Sequence, residues 1–514
     1  MVQVLRLLAL LLIACAEMPN PAHAAIEYAD VTGGRLKGEV DNGLAVFKGI
    51  PFAAPPIGDL RWRVPQPVAP WHGVRAANTF APACIQPWWE TPNPSSEDCL
   101  YLNVWTAAAN AQERRPVMFW IHGGGFKGGM SWEPVSYGTH LAREGVVLVT
   151  IAYRLGAIGF LAHPQLTRES GTGSGNYGLF DMLAALRWVQ ANIAQFGGDP
   201  ARVTLVGGSA GAFAVSLFAG APAAKGLYAR AIAQSGSAFL PEQAGDPDPE
   251  LSIPTLSSAE RDGESFFRAL GVSDLTSARH VPAEIIVKAS QAKPHSAVGL
   301  ATFDGELVQR SNIDLFRHGQ FNDTPILIGF TSDEGGHPLT QSPVDSMKTE
   351  MKHWSCPDRR ADAALITAYP YATEAQAEAS IRYLYADFGT GGPTWTWARL
   401  QTMQGRNPAF LYVFDVHNPD HPFGAGHASD YPFVFGNFPK PPVARDEAVS
   451  ALMRKFWINF ATRGDPNGPG LPVWNKFDER SQAAMVFDAS PGSRQLPNLP
   501  GLRAIEECER RFGQ

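Results

Sequence analysis

Apolar residues along the chain fall into short, nearly continuous runs separated by longer mixed segments. Buried strands of an α/β sheet have this pattern, because helices cover both faces of a parallel sheet. The segments between the runs suit helices and loops, which is the arrangement expected of a mostly parallel sheet. The clearest runs lie at residues 116–122, 146–152, 203–206, 229–234 and 325–330.

The run at 203–206 leads directly into a turn of small residues that carries a serine. The letters at 203–211 are V-T-L-V-G-G-S-A-G, and apolar residues compatible with a helix follow them. A strand, such a turn and a helix are the context in which G-x-S-x-G forms a nucleophile elbow that exposes the serine hydroxyl. Gly207 and Gly211 would let strand and helix pass close to each other. The motif alone is short, and a plain glycine-rich turn is the alternative.

Composition narrows the classes of function. The 514 residues are 45% hydrophobic and 18% charged, and an α/β enzyme of this size can hold a single large sheet with an ample core. The formal net charge is −7, and no basic run follows the N-terminus. Both features argue against a nucleic-acid partner.

Residues 1–24 have the pattern of a signal peptide. Arg6 precedes the apolar run at 7–14, which is too short to span a bilayer but suits the core of an export signal. Cleavage after A-H-A at 22–24 would release a soluble single domain at 25–514. The letters L-I-A-C at 12–15 instead resemble a bacterial lipobox, which would leave a lipid anchor on Cys15. We expect an exported protein, periplasmic or secreted, with the lipid-anchored form as the alternative.

Four cysteines follow this leader, and an even number in an oxidising compartment predicts two disulfides. Three connectivities are open. Cys84 and Cys99 close a short loop rich in proline, tryptophan and serine, and we expect them to pair. Cys356 and Cys508 then pair by elimination, and free buried thiols are the alternative for both pairs. No cysteine or histidine cluster has metal-ligand spacing.

Several segments resemble the type-B carboxylesterase family, the group that also contains the cholinesterases. They stand in the family's order between about residue 28 and about residue 490. The resemblance implies the α/β-hydrolase fold, a large mostly parallel central sheet flanked by helices, and ester hydrolysis without a metal or organic cofactor. The segments include S-E-D-C-L-Y-L-N-V-W at 96–105, H-G-G-G-F at 122–126, G-N-Y-G-L-F-D at 175–181 and F-G-G-D-P-A-R-V-T-L at 196–205.

The same resemblance implies a catalytic triad. A serine hydroxyl needs a base to take its proton, and the base needs an orienting acid. In α/β-hydrolases the chain order is serine, acid, histidine. Ser209 is the expected nucleophile, and His427 in G-A-G-H-A-S-D at 424–430 matches the family's histidine. The expected acid is Glu334, with the adjacent Asp333 as the alternative.

Two further sets of residues follow from the resemblance. Gly124, Gly125 and Ala210 match the backbone donors of the family's oxyanion hole, which stabilises the negative oxygen formed when an ester is attacked. A flexible turn is the alternative for the glycines. Arg61 and Glu97 match a structural salt bridge that holds the disulfide loop, and two solvated charges are the alternative.

One position departs from the family pattern. Many relatives have glutamate before the serine, whereas this chain has Gly208. The missing carboxylate makes a cationic, cholinesterase-like substrate less favourable, and the triad does not require it.

We therefore expect a serine carboxylesterase that hydrolyses a small to medium organic ester through an acyl-enzyme. A non-catalytic adhesion module of the same fold is the rival from another class, and the three triad residues in order count against it. Amide, carbamate or lactone hydrolysis is the rival within chemistry. Some aromatic residues outside the predicted sheet either line an acyl or alcohol pocket or pack elsewhere: Trp88, Trp89, Phe388, Trp395 and Trp397.

Overall fold

A computed structural model describes most of the chain. The export signal predicted for residues 1–24, with Cys15, lies outside the described residues, and so do Trp88, Trp89, Cys356 and the side chain of Cys508. No helix within the described residues is long and apolar enough to cross a membrane. The described residues are 25–87, 95–240, 253–292, 298–335, 341–353, 359–417 and 423–512.

Strands and helices alternate through most of these residues. The strands are β1 Tyr28–Val31, β2 Gly34–Lys37, β3 Glu39–Asp41, β4 Leu44–Pro51, β5 Val74–Ala76, β6 Tyr101–Thr106, β7 Arg115–Ile121, β8 Val147–Ile151, β9 Gly198–Gly208, β10 Arg230–Gln234, β11 Ile326–Thr331, β12 Ala409–Phe414, β13 Ala483–Phe487 and β14 Gly492–Gln495. The helices are α1 Thr139–Arg143, α2 Gly156–Phe160, α3 Pro164–Ser170, α4 Tyr177–Asn192, α5 Ala210–Gly220, α6 Leu256–Ala269, α7 Leu275–His280, α8 Ala283–Ser290, α9 Asn312–Arg317, α10 Pro343–His353, α11 Arg359–Ala368, α12 Glu374–Ala386, α13 Gly392–Gln404, α14 Tyr431–Phe435, α15 Ala444–Arg463 and α16 Leu499–Phe512.

One large sheet of eleven strands organises the described chain, in the order β14-β13-β12-β11-β10-β9-β7-β8-β6-β4-β3. The strands from β13 to β8 pair in parallel, and antiparallel strands complete both edges. Strands β1, β2 and β5 form a small separate sheet. The five apolar runs of the sequence correspond to β7 to β11, so the predicted mostly parallel α/β sheet is confirmed.

Both faces of the large sheet are buried, as strand β7 illustrates. Phe119 and Ile121 belong to the core on one face, together with Met182 of α4. Met118 belongs to the core on the other face, together with Trp457 of α15. Because neighbouring residues of a strand point to opposite faces, a strand covered on both faces needs apolar residues at every position. This is why these strands are nearly continuous apolar runs in the sequence.

Parallel strands end at the same edge of a sheet, and this brings distant parts of the chain together. Strand β9 ends at Gly208, β10 at Gln234 and β11 at Thr331. In open α/β sheets the crevice at the carboxyl ends of the strands is where ligands bind. The loops after these strands contain Ser209 and Glu334, so two of the predicted site residues reach one edge.

A buried ion pair fixes the loop after β8 to helix α4. The guanidinium of Arg154 donates to both carboxylate oxygens of Asp181, each at 2.7 Å, and the Arg154 backbone N–H donates to the same carboxylate at 3.1 Å. Both side chains are fully buried. Removing one partner would therefore leave the other charge in the core without compensation.

We expect Asp181→Asn to lower the free energy of unfolding by about 3–5 kcal/mol, because Arg154 keeps its charge and loses the buried counter-charge. Urea unfolding at pH 7 measures this loss. The control is Arg310→Gln, which removes the exposed pair with Asp314 and should cost less than about 1 kcal/mol. Equal unfolding midpoints for Asp181→Asn and the wild type would contradict this view of the pair.

Candidate active site

Ser209 occupies a strained backbone position between β9 and α5. Its φ is 54° and its ψ is −122°, in a region that residues with side chains rarely adopt. Its backbone N–H donates to the carbonyl of Gln234 at 2.8 Å. A Cβ atom on Gly207 would clash with the backbone of Gly211, and one on Gly211 would clash with the carbonyl of Ile121. The glycines thus permit the close crossing of strand and helix that presents the serine.

The three residues predicted as a triad form one chain of hydrogen bonds. His427 Nε2 lies 2.9 Å from Ser209 Oγ, and His427 Nδ1 is hydrogen-bonded to Glu334 Oε2. The other carboxylate oxygen, Glu334 Oε1, accepts the backbone N–H of Thr331 at 2.8 Å. The Glu334 side chain is 3% exposed and that of His427 is 42% exposed. The acid is therefore shielded from solvent, while the imidazole reaches the surface of the cavity.

The charges within this chain of groups reinforce one another. Burial opposes ionisation of Glu334, but the neighbouring His427 and the surrounding hydrogen-bond donors outweigh it, so the pKa of Glu334 is lowered. The charge of Glu334 in turn raises the pKa of His427 above its ordinary value, against the opposing effect of burial. Glu334 is thus held as a carboxylate that stabilises a protonated imidazole.

Asp333, the alternative acid, faces a different partner. Its carboxylate accepts a hydrogen bond from Arg382 at 3.0 Å, and its side chain is 3% exposed. Its backbone N–H donates to the carbonyl of Ala425. Asp333 therefore anchors the segment before His427, whereas Glu334 contacts the imidazole itself.

The predicted oxyanion-hole residues line the same cavity as the serine and the histidine. Gly124, Gly125 and Ala210 share with Ser209 and His427 a cavity of about 420 Å³. Gly124 and Gly125 have φ values of 101° and 61°, which glycine adopts without steric cost. Ala210 begins helix α5, so its N–H belongs to the positive end of the helix dipole. The residues predicted as backbone donors and the predicted nucleophile thus line one space.

The rest of the cavity wall is largely apolar. No group of three or more His, Cys, Asp and Glu side chains that could hold a metal ion is found in the described part of the chain. A larger depression of about 640 Å³ lies beside His140 and Arg454, and none of the predicted site residues lines it. The apolar residues lining the cavity that contains Ser209 are Phe126, Phe213, Leu240, Ile253, Leu300 and Ala301.

A disulfide and an ion pair stabilise the loop that precedes β6. The sulfurs of Cys84 and Cys99 are 1.99 Å apart. Arg61 makes two hydrogen bonds of 2.6 Å to the carboxylate of Glu97 and also donates to the carbonyl of Val281 at 2.7 Å. Arg61 is 4% exposed. Both pairs singled out in the sequence are therefore in contact, and Arg61 ties this loop to the end of α7.

Several polar residues behind the triad were not singled out from the sequence. Gln234 donates through its side chain to Asp430 at 2.8 Å, and Tyr412 donates to the same carboxylate oxygen at 2.7 Å. Burial raises the pKa of Asp430 to about 6. Ser235 is buried at a φ of 56°. The feature of the sequence that could have indicated this group is the polar pair Gln234-Ser235 at the end of an apolar strand.

Gly208, the position that departs from the family pattern, lies against Tyr431. A Cβ atom on Gly208 would clash with the hydroxyl and the ring of Tyr431 and would lie 2.8 Å from the ring of Trp120. The Tyr431 hydroxyl is buried and has no hydrogen-bond partner among the described residues. The tyrosine therefore fills the space that a side chain at position 208 would need.

Comparison with known proteins gives one consistent family. Residues 20–499 match the carboxylesterase family. The chain is 35% identical to fumonisin B1 esterase of Sphingopyxis macrogoltabida, over 88% of this chain and 85% of that protein. It is 32% identical to para-nitrobenzyl esterase of Bacillus subtilis, over 89% and 94%.

Solved structures agree with this result. A structure of PNB esterase superposes with a TM-score of 0.79 at 29% identity and covers 94% of this chain and all of that one, 100%. A structure of the Geobacillus stearothermophilus carboxylesterase EST55 superposes with a TM-score of 0.77 at 34% identity, covering 93% and 99%. Both neighbours are α/β-hydrolases, and the fold predicted from the sequence is confirmed.

We expect Gly208→Ala to destabilise the protein by about 1–3 kcal/mol, because the new methyl group overpacks the site against Tyr431. Adding Tyr431→Leu should relieve much of this cost, so the double variant should be more stable than the sum of the single effects by about 1 kcal/mol or more. Urea unfolding of all four proteins measures this coupling. Simple additivity would show that Tyr431 does not limit position 208.

Proposed function

The chain belongs to the carboxylesterase family and is a carboxylic-ester hydrolase, and we propose that it acts through a covalent acyl-enzyme on Ser209. His427 is the general base and acid, and Glu334 orients its ring. The observation that carries this proposal is the continuous hydrogen-bonded chain from Glu334 through His427 to Ser209. This series of hydrogen bonds ends at Ser209, which lines one cavity together with Gly124 and Gly125.

In the first half of the reaction, Ser209 Oγ attacks the ester carbonyl while its proton passes to His427 Nε2. The carbonyl π electrons move onto the oxygen, and the N–H groups of Gly124, Gly125 and Ala210 stabilise the resulting anion. The intermediate then collapses, the bond to the alcohol oxygen breaks, and His427 donates its proton to the leaving alcohol. Ser209 is left as an acyl ester.

In the second half, water takes the place of the alcohol. His427 accepts a proton from the water, whose oxygen attacks the acyl carbonyl. The second oxyanion forms in the same place, and collapse releases the carboxylic acid as His427 returns a proton to Ser209. Glu334 remains a carboxylate throughout and stabilises the imidazolium at each step. The lowered pKa of Glu334 and the raised pKa of His427 support this division of roles.

We propose a small to medium organic ester as the substrate. The names of two relatives refer to fumonisin B1 and to para-nitrobenzyl esters, so the family handles organic esters of different kinds. A cavity of about 420 Å³ lies within the range of ordinary small-molecule sites. Gly208 leaves no carboxylate beside the nucleophile, which supports a neutral ester over a cationic one.

We also propose that the protein is exported. The disulfide between Cys84 and Cys99 supports this, because disulfides form and persist mainly in oxidising compartments. The leader that would direct export, with either the soluble or the lipid-anchored outcome, lies outside the described residues.

We expect Ser209→Ala to lower kcat for p-nitrophenyl butyrate by about 10⁶-fold, because the nucleophile is gone. A fluorophosphonate probe should add to the wild type at one site and not to this variant, as intact-protein mass spectrometry would detect. The control Ser257→Ala changes an exposed serine and should keep both activity and labelling. Wild-type activity in Ser209→Ala would rule out the proposed mechanism.

We expect kcat/KM of the wild type to fall as the pH drops through a midpoint above about 6.5, the ordinary pKa of histidine. Protonated His427 cannot accept the serine proton, and Glu334 raises the pKa of His427. Glu334→Gln removes this charge, so the midpoint should move to lower pH and kcat should fall by about 10⁴-fold. A pH profile of kcat/KM measures the shift.

Asp333→Asn is the matched control for this pH profile. It removes the charge of the neighbouring acid, whose partner is Arg382 rather than His427. Its midpoint should therefore stay close to that of the wild type. If Asp333→Asn moved the midpoint and Glu334→Gln did not, the roles of the two acids would be reversed.

A further inference from the structure

One segment of the catalytic cavity wall has unusual backbone geometry. Residues Asp387–Gly391 form a single π-helical turn between α12 and α13, closed by a hydrogen bond from the Gly392 N–H to the Asp387 carbonyl. Turns of this kind occur frequently at functional sites. Gly389 and Thr390 of this turn line the same cavity as Ser209.

Neither the backbone conformation at position 389 nor the packing around it requires a glycine. A Cβ atom built on it would meet no other atom within 4 Å. Every other glycine of the described residues with such an open Cβ position has a left-handed φ, between 51° and 98°, whereas Gly389 does not. A side chain at 389 is thus excluded by neither strain nor contact, and residue 389 lines the cavity.

The turn that carries Gly389 is firmly held. The Asp387 carboxylate is 3% exposed and accepts hydrogen bonds from the Tyr369 hydroxyl, at 2.7 Å, and from the Asn498 side chain. Asn498 directly precedes α16, and Tyr369 follows α11. These contacts attach the start of the turn to the segments beside α11 and α16. Space at Gly389 depends on the side chain at that position.

We propose that Gly389 is a specificity-determining residue that admits a hydrophobic acyl or alcohol chain of the ester into the apolar part of the cavity. This inference rests on the proposed function, because the chain must belong to an ester that Ser209 attacks. The cavity that Gly389 lines also has apolar side chains in its wall, including Phe213, Leu300 and Ala301. A larger side chain at 389 would occupy the volume that a long substrate chain needs and leave a short ester unaffected.

The test uses Gly389→Ala and Gly389→Leu with two ester series, methyl esters of increasing acyl length and acetate esters of increasing alcohol length. Proton release in a pH-stat gives kcat/KM for each. We expect kcat/KM of Gly389→Leu for the short esters of both series to stay within about threefold of the wild-type value. For the longest esters of at least one series, Gly389→Leu should lower kcat/KM by about 10-fold or more, and Gly389→Ala should have an intermediate effect. Gln404→Leu adds the same side chain at an exposed position of α13 and should leave both profiles unchanged.

Two results would overturn the inference: an equal loss on short and long esters, or unchanged profiles in both series. Ser209→Ala is assayed beside these variants on the short esters. Activity in Ser209→Ala refutes the proposed function, whereas a flat response to Gly389→Leu in a protein that still requires Ser209 refutes only the role of Gly389. Because alanine and leucine favour helices over glycine, unfolding temperatures should not fall.

Discussion

The close crossing of β9 and α5 is the constraint on which the site depends. Ser209 is held at a φ of 54° and a ψ of −122°, an arrangement that costs about 1–3 kcal/mol for a residue with a side chain. The cost is sustained because Gly207 and Gly211 let three backbones meet where no Cβ atom fits. The turn places the Ser209 hydroxyl within hydrogen-bonding distance of His427, and the rest of the site is arranged around it.

One residue, Gln234, links Ser209 to the loop that contains His427. The Gln234 carbonyl accepts the Ser209 N–H, and the Gln234 side chain donates to Asp430, three residues after His427. Burial raises the pKa of Asp430 to about 6, whereas the pKa of Glu334 is lowered. Two carboxyl groups near one imidazole thus differ in their tendency to ionise, and environments that push pKa values apart mark different roles. Glu334 is the ionised partner of His427, whereas Asp430 connects the loop that contains His427 to the end of β10.

The strands and the elbow could be predicted because their signals are local. Burial on both faces produces continuous apolar runs, and five of them matched β7 to β11. Strands β12 and β13 of the same sheet were not among these runs. Within the five, the largest difference is the start of β9, which begins at Gly198, where Gly198 pairs with Arg115. The assignment of Glu334 over Asp333 came from the resemblance. Adjacent residues on a loop face different ways, and no periodicity tells which one contacts a distant histidine.

The shape of the cavity could not be predicted, because it depends on side-chain directions set by tertiary packing. Of the aromatic residues considered for the pocket, Trp395 and Trp397 are buried in the core, while the neighbouring Gly389 and Thr390 line the cavity. The surroundings of Gly208 also depend on tertiary packing. The sequence shows a missing carboxylate there, but only the structure shows that the Tyr431 ring occupies the space. Position 208 is therefore closed as well as uncharged, and the cavity beside Ser209 is lined by other residues, Gly389 among them.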